Sequence, residues 1–194
     1  MGMEWFRPVG RALSGLRAGT AQLASEASWL RPVPECVTVG SPVFGHGTDI
    51  PERFTADGEG VSPPLSWSGL PTLTRSVVLL IEDADIPLPV PLVHGLFHGI
   101  PPALTELTEG ELPATVGRGE TPEGFHAGRN GYGRTGWIPP SPPPGHGPHH
   151  YAFQVFALDT VPVFDWPPSR GFLMRRIRDH VIGRGVLFGI YERP

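Results

Sequence analysis

The sequence predicts a loop-rich, mostly β domain with one helix near its C-terminus. Short apolar or alternating runs recur at 36–39, 76–82, 92–98, 151–158 and 186–191, each bounded by Pro, Gly, Ser or Asp. Glycine (26) and proline (25) together exceed a quarter of the 194 residues, a loading that in other settings marks disorder. Here it alternates with runs such as Ser76-Val77-Val78-Leu79-Leu80-Ile81, so it reads as turns between strands. Helical spacing shows only near the two ends of the chain.

Residues 1–34 form an extension to a domain spanning 35–194. Trp5, Val9, Leu13 and Leu16 recur at helical spacing with Arg7, Arg11 and Arg17 between them, which predicts a short amphipathic helix. Pro8 suits a first turn. Such a helix packs on its own domain or on a sister subunit, which leaves a homodimer open. A membrane surface and a disordered leader are the alternatives. Tyr151-Ala152-Phe153-Gln154-Val155-Phe156-Ala157-Leu158 is apolar on nearly both sides, as a central strand between packed layers is. Ser169 or Arg170 opens the C-terminal helix. Leu173, Ile177 and Val181 form its stripe, and Gly183 closes it. The 105–147 region is long and glycine-rich, a connection of the kind that is functional or mobile. Its continuation through Pro139 to Pro148 is stiff, because proline fixes φ. There is no internal repeat.

Composition excludes several functions. A net charge of −4 with no basic stripe argues against nucleic acid as a partner. All the basic residues are Arg, which reads as compositional bias. Cys36 is the single cysteine, so intrachain disulfides and Cys-rich zinc sites are excluded. Its neighbours Val37 and Val39 suggest a buried, inert thiol. No stretch approaches the ~20 apolar residues of a membrane span. The N-terminus lacks the apolar core of a secretory signal, so a soluble, cytoplasmic protein is expected.

Polar groups from three distant stretches can meet in one pocket. Simple alternation puts His94, Leu96 and His98 on one face of their strand, and Gly95, Phe97 and Gly99 on the other. His149, Tyr151, Phe153 and Val155 share a face, with His150 turned away. Asp83 and Asp85 share a side at the end of the 76–82 run. A pocket of Asp83 or Asp85 with His94, His149 and Tyr151 follows, leaving His150 and His146 outside. A carboxylate beside imidazole favours its protonated form and holds one ring proton in place. The other ring nitrogen can then donate to a phosphate or carboxylate oxygen, Tyr151 can add a hydroxyl, and backbone N–H groups of Gly145-His146-Gly147 can complete a nest. The plainer alternatives are hydrogen-bonded structural histidines and a solvated Asp-x-Asp turn. Two His and one Asp would also suit Zn²⁺, though no HExxH or H-x-H supports a metal site. Ser62 and Ser66 lack the G-x-S-x-G setting of a hydrolase nucleophile.

These residues carry a resemblance. Asp57-Gly58-Glu59-Gly60-Val61-Ser62-Pro63-Pro64-Leu65-Ser66-Trp67 resembles the D-G-x-x-x-S-P-P-L-x-W of the phosphatidylethanolamine-binding protein (PEBP) family, in its bacterial Raf-kinase-inhibitor-like (YbhB/YbcL-type) branch. Asp83-Ala84-Asp85-Ile86-Pro87 stands where that family shows D-P-D-A-P, and His94 stands where its first pocket histidine precedes N-I-P. Gly145-His146-Gly147-Pro148-His149-His150-Tyr151 resembles G-x-x-x-H-R-Y, and the likeness runs from about Val37 to Glu192.

The resemblance implies a Greek-key β-sandwich with a C-terminal helix beside a small anion pocket. It places Asp83, His94, His149 and Tyr151 around the ligand, Asp85 in support and Pro142 and Pro143 at the rim. It implies no cofactor. Family pockets take phosphate-like head groups and similar anions, and some members inhibit kinases or proteases. A non-enzymatic binding protein for a phosphorylated or carboxylated small molecule is therefore expected. A kinase- or protease-directed regulator using the 139–148 rim is the alternative, and a metal-dependent hydrolase comes last. Ala84, Ile86, Gly95, Gly99 and His150 depart from the family's usual Pro, Ala, aromatic, Asn and Arg. Gly95 and Gly99 are expected to widen the pocket or loosen its strand, and His150 to remove a cation. Residues 1–34 have no counterpart in the resemblance.

Overall fold

A computed structural model describes residues 7–114, 121 and 124–193. After helix α1 (Arg7–Leu13) come three single helical turns between Thr20 and Leu30, then strands β1 (Thr38–Gly40), β2 (Thr48–Asp49), β3 (Leu65–Ser68) and β4 (Ser76–Asp83). Strands β5 (Leu92–Ile100), β6 (Glu106–Leu107), β7 (His126–Ala127) and β8 (His149–Leu158) precede helix α2 (Arg170–Ile177) and strand β9 (Val181–Tyr191). Among the described residues the strands form a small sheet, β1-β3-β6, and a larger one, β2-β9-β8-β4-β5-β7.

The two sheets face each other as a sandwich. Val39 and Trp67 of the small sheet pack with Leu79, Ile81, Phe97, Phe153, Val155 and Leu187 of the large one. The outer face of the large sheet carries Val78, Leu80, Leu96 and Phe156, covered by Leu173 and Ile177 of α2 and by Leu30. Strand β4 is thus covered on both faces and wholly buried, which is why its sequence is a continuous apolar run rather than an alternation.

Ser169 caps α2 by accepting the Phe172 N–H at 3.4 Å. The helix ends at Ile177, earlier than the stripe predicts. Val181 opens β9 and Gly183 lies inside that strand rather than closing the helix. Cys36 is exposed, not buried. Alternation explains it: Val37 and Val39 turn inward on the strand, so Cys36 turns outward.

Residues 20–34 cover the sheet's outer face. Leu23, Ala24, Ser25 and Leu30 are buried there. The expected α1 stripe does not do the packing: Val9 and Leu16 are 54% and 57% exposed, while Gly10 is buried, and Trp5 lies outside the described residues. A Cβ at Gly10 would collide with the carbonyl oxygen of Pro144, so α1 seats backbone-to-backbone on the 143–146 turn. Among the described residues no helix is long and apolar enough to cross a membrane.

Candidate functional site

The irregular segment after β7 runs along β5. Gly128 N–H and Gly131 N–H donate to Leu96 and Val93, and Ile138 N–H donates to the His94 carbonyl at 2.7 Å. A Cβ at Gly131 would overlap the Leu92 side chain, so glycine permits the approach. This segment brings Trp137 and the proline-rich rim over the end of β4 and β8.

His94 reaches the site through a β-bulge. Ile81 pairs with Gly95 but Glu82 pairs with Val93, so one extra residue stands on β5 at His94. The bulge reverses the alternation between Val93 and Leu96, which both face the outer layer. His94 therefore points to the sandwich side, its ring edge-on to Tyr151 with centroids 5.1 Å apart. Leu96 and His98 face the opposite side, where His98 meets Phe164, so the simple alternation is wrong for these three residues. His149 and Tyr151 share a face as alternation requires, and Asp83 pairs with Tyr151 across β4 and β8.

Asp83, His94, His149 and Tyr151 thus converge. His149 Nδ1 lies 2.7 Å from Asp83 Oδ2, and the other Asp83 oxygen accepts the Asp85 N–H at 2.8 Å. Asp85 does not line the same hollow. Its Oδ2 accepts from His150 N–H and His150 Nδ1, each at 2.7 Å, and its Oδ1 accepts from Arg17 at 2.5 Å. Burial opposes ionisation of Asp85, but the bonds from Arg17 and His150 hold its carboxyl below the usual range. Arg17 brings a guanidinium to this carboxylate beside His150, from a segment outside the family motifs.

His146 belongs to the site, contrary to the alternation argument. Its Nδ1 sits 2.8 Å from His149 Nε2, and its Nε2 sits 2.9 Å from the Leu13 carbonyl oxygen. Gly145 and Gly147 flank it with φ of 77° and 97°, conformations that fold the loop back so that His146 faces His149. That pair of glycines around a histidine is the sequence signal for it. The backbone nest does not form as expected, because Gly145 N–H donates to Arg193 and His146 N–H to Pro143.

Three close contacts link the Asp83 carboxylate through the His149 and His146 rings to the Leu13 carbonyl, and neither end of the chain donates.

His94 is different. Its Nδ1 lies 2.8 Å from the Ile138 carbonyl, which only accepts, so Nδ1 carries the hydrogen. Burial lowers its pKa, more than the nearby Asp83 raises it, and the ring is neutral with a lone pair at Nε2. Tyr151 is pushed up by burial and then by Asp83, so its hydroxyl stays protonated. It lies beside the Ser141 backbone without a well-formed hydrogen bond. His94 Nε2 and Tyr151 Oη are both buried with no hydrogen-bond partner among the described residues.

The rim is tied to the C-terminus. Arg193 grips Asp57 with two nitrogens, at 2.5 and 2.7 Å, and donates to Ser141 Oγ and the Pro142 carbonyl. Pro142 is buried and Pro143 half-buried beside His146. Among the described residues no group of three His, Cys, Asp or Glu side chains is arranged to hold a metal ion.

Residues 40–192 match the family described as phosphatidylethanolamine-binding protein. The chain belongs to that family. This PEBP-family protein is 41% identical over 155 residues to a UPF0098 protein of Pyrococcus horikoshii, covering 79% of this chain and 75% of that one. It is 35% identical over 169 residues to LppC of Mycobacterium tuberculosis, named as a lipoprotein, covering 86% of this chain and 78% of the other. Crystal structures of a PEBP homologue from Chlamydia trachomatis and of E. coli YbcL each superpose with a TM-score of 0.73 at 29% identity, covering 82% of this chain and 99% of theirs. The likeness to YbcL agrees with the bacterial branch that the motifs resemble.

Two departures from the PEBP motifs have physical accounts. The Phe97 ring lies where a Gly95 side chain would project, 2.8 Å from a Cβ placed there, so neighbouring aromatic bulk fills the space and the pocket is not widened. Gly99 has φ of 70°, a region that glycine and asparagine enter most readily, which accounts for the exchange with Asn.

Proposed function

We propose that this PEBP-family protein is a non-enzymatic binding protein whose pocket takes a small oxyanion, a phosphoryl or carboxyl group, between His94, Tyr151 and His149. The observation that carries this reading is the pair of orphaned polar atoms, His94 Nε2 and Tyr151 Oη, on rings in edge contact. Buried polar groups are almost always satisfied, and leaving one unpaired costs about 1–3 kcal/mol. Two neighbouring orphans favour a ligand that pairs with both.

The two atoms specify complementary chemistry. Tyr151 offers a donor to an anionic oxygen, while neutral His94 offers an acceptor. The ligand therefore arrives carrying a proton, as a phosphate monoanion or phosphomonoester does, or His94 takes up a proton as the anion binds. The same groups favour binding over catalysis. A tyrosine hydroxyl whose pKa is raised is a poor nucleophile, and Ser62 Oγ is occupied by the Leu112 N–H at 3.1 Å.

Calorimetry with inorganic phosphate, acetate and phosphoethanolamine tests the reading. Binding of at least one, lost in His149→Ala and weakened in Tyr151→Phe, is the expected outcome. Affinity is modest, since so few ligand atoms make contact. Silence of all three ligands, or binding untouched by either substitution, removes the pocket as an anion site.

A further inference from the structure

Asp83 and His94 are 2% exposed, His146 is 1%, and His149 and Tyr151 are 0% exposed. The site is assembled and shut. His146 fills the position in front of His149 Nε2, the ring nitrogen pointing away from Asp83 and the one an anion would use. His146 is in turn held by the Leu13 carbonyl. The segment that supplies this carbonyl is seated by two further contacts. Gly10 packs against the Pro144 carbonyl, and Arg17 spans Asp85 Oδ1, the Pro148 carbonyl at 2.8 Å and the His146 carbonyl at 3.3 Å.

We infer that residues 10–17 are a built-in latch over the pocket, and that an anion reaches His149 only by displacing His146 and releasing that segment. This rests on the anion-pocket reading above. His149 Nε2 has room for one partner. When His146 turns aside, its Nε2 leaves Leu13 and the latch loses its central bond. Anion binding and latch closure are then mutually exclusive, and each opposes the other by the same factor. The contacts suit release, because they join backbone to backbone through Gly10 and polar groups through Arg17 while Val9 and Leu16 stay largely exposed. Little apolar surface has to be stripped away to open it, the half-buried Leu13 being the main part.

Gly10→Ala in the full-length chain tests the latch. The added methyl collides with Pro144, whereas alanine favours the α1 helix, so unseating is not helix melting. Arg17→Ala, which removes the polar arm from a partly exposed position, is the second variant. Each is compared with wild type by phosphate calorimetry and by trypsin cleavage after Arg11, a site that all three proteins retain, followed by mass spectrometry. The expected result is phosphate binding at least about tenfold tighter in both variants. Cleavage is expected to be faster in both variants without phosphate, and faster in wild type once phosphate saturates it. Equal affinities in all three proteins, with cleavage of wild type indifferent to phosphate, overturn the latch while leaving the anion pocket standing. Absence of phosphate binding in all three overturns the anion reading and the competition together.

Discussion

Gln154 donates to Glu82 at 2.8 Å across the β4–β8 pair, joining two polar side chains with no exposed surface. Glu82 also accepts the Ala24 N–H at 2.9 Å and pairs with Arg170 at 2.5 Å, while Gln154 accepts the Ser25 N–H at 2.7 Å. One carboxylate thereby pins the N-terminal segment and α2 onto the same sheet. Removing it takes the acceptor from the Gln154 amide and the Ala24 N–H and leaves the Arg170 guanidinium, still bonded to the Gln22 carbonyl, without its anionic partner.

Glu82→Ala is expected to lower unfolding stability by roughly 3 kcal/mol. Glu82→Gln, which keeps the shape and loses the charge, should cost less. Urea denaturation of the three proteins measures both effects, and equal stability of Glu82→Ala and wild type would show the network to be dispensable.

Arg193 holds the Asp57 carboxyl below the usual range, chiefly through its hydrogen bonds, with Tyr191 assisting. A depressed carboxylate pKa contributes stability that is present above the unfolded value and is lost as pH falls through the folded one. Asp57→Asn is therefore expected to destabilise at neutral pH by about 1 kcal/mol, and by less as the medium becomes acidic. Thermal melts of both proteins from neutral pH to below about pH 4 follow the difference, which should shrink toward the acid end.

His98 is pushed down to about 4, first by burial and then by His126. Its folded pKa lies below the ordinary histidine value of 6.5, so the unfolded chain binds the proton more readily. Stability is complete above that value and falls as pH drops toward about 4, by on the order of 3 kcal/mol. Denaturation midpoints across this interval should decline in wild type and decline less in His98→Gln. His94, lowered in the same direction, leaves a residual slope.

The neutral state of His94 predicts proton-linked binding. Phosphate affinity should rise as pH falls from about 8 to about 6, because the bound state holds the additional proton. Calorimetry in two buffers of different ionisation enthalpy should report uptake of up to about one proton per phosphate. Proton release on binding would contradict the tautomer assigned from Ile138.

At Gly99 the positive φ separates two substitutions. A Cβ there meets His126 at 3.5 Å, an ordinary contact, so space is not the constraint. Gly99→Asn should cost a few tenths of a kcal/mol, whereas Gly99→Val should cost about 1–2 kcal/mol, because β-branched residues avoid this region. Chemical denaturation midpoints distinguish them.

Much of the fold was legible locally. The 76–82, 92–98 and 151–158 runs are the cores of β4, β5 and β8, and Ser169 opens α2 where its cap chemistry says it should. The face shared by His149 and Tyr151 follows from a period of two, and so does their meeting with Asp83 once β4 and β8 pair. The end of α2 was not legible, since Val181 continues the helical stripe while serving as the first residue of β9.

By itself the sequence determined which residue types would gather at one end of the sandwich, because strand periodicity and turn chemistry are local properties written in neighbouring side chains. Only the tertiary structure decided the rest. A bulge at His94 turned that ring to the opposite face, two positive-φ glycines brought His146 to His149, and Leu13 met His146 across 133 positions of chain. Such outcomes depend on which backbones come into register and where a glycine lets them touch, and no periodicity within a single segment carries that information.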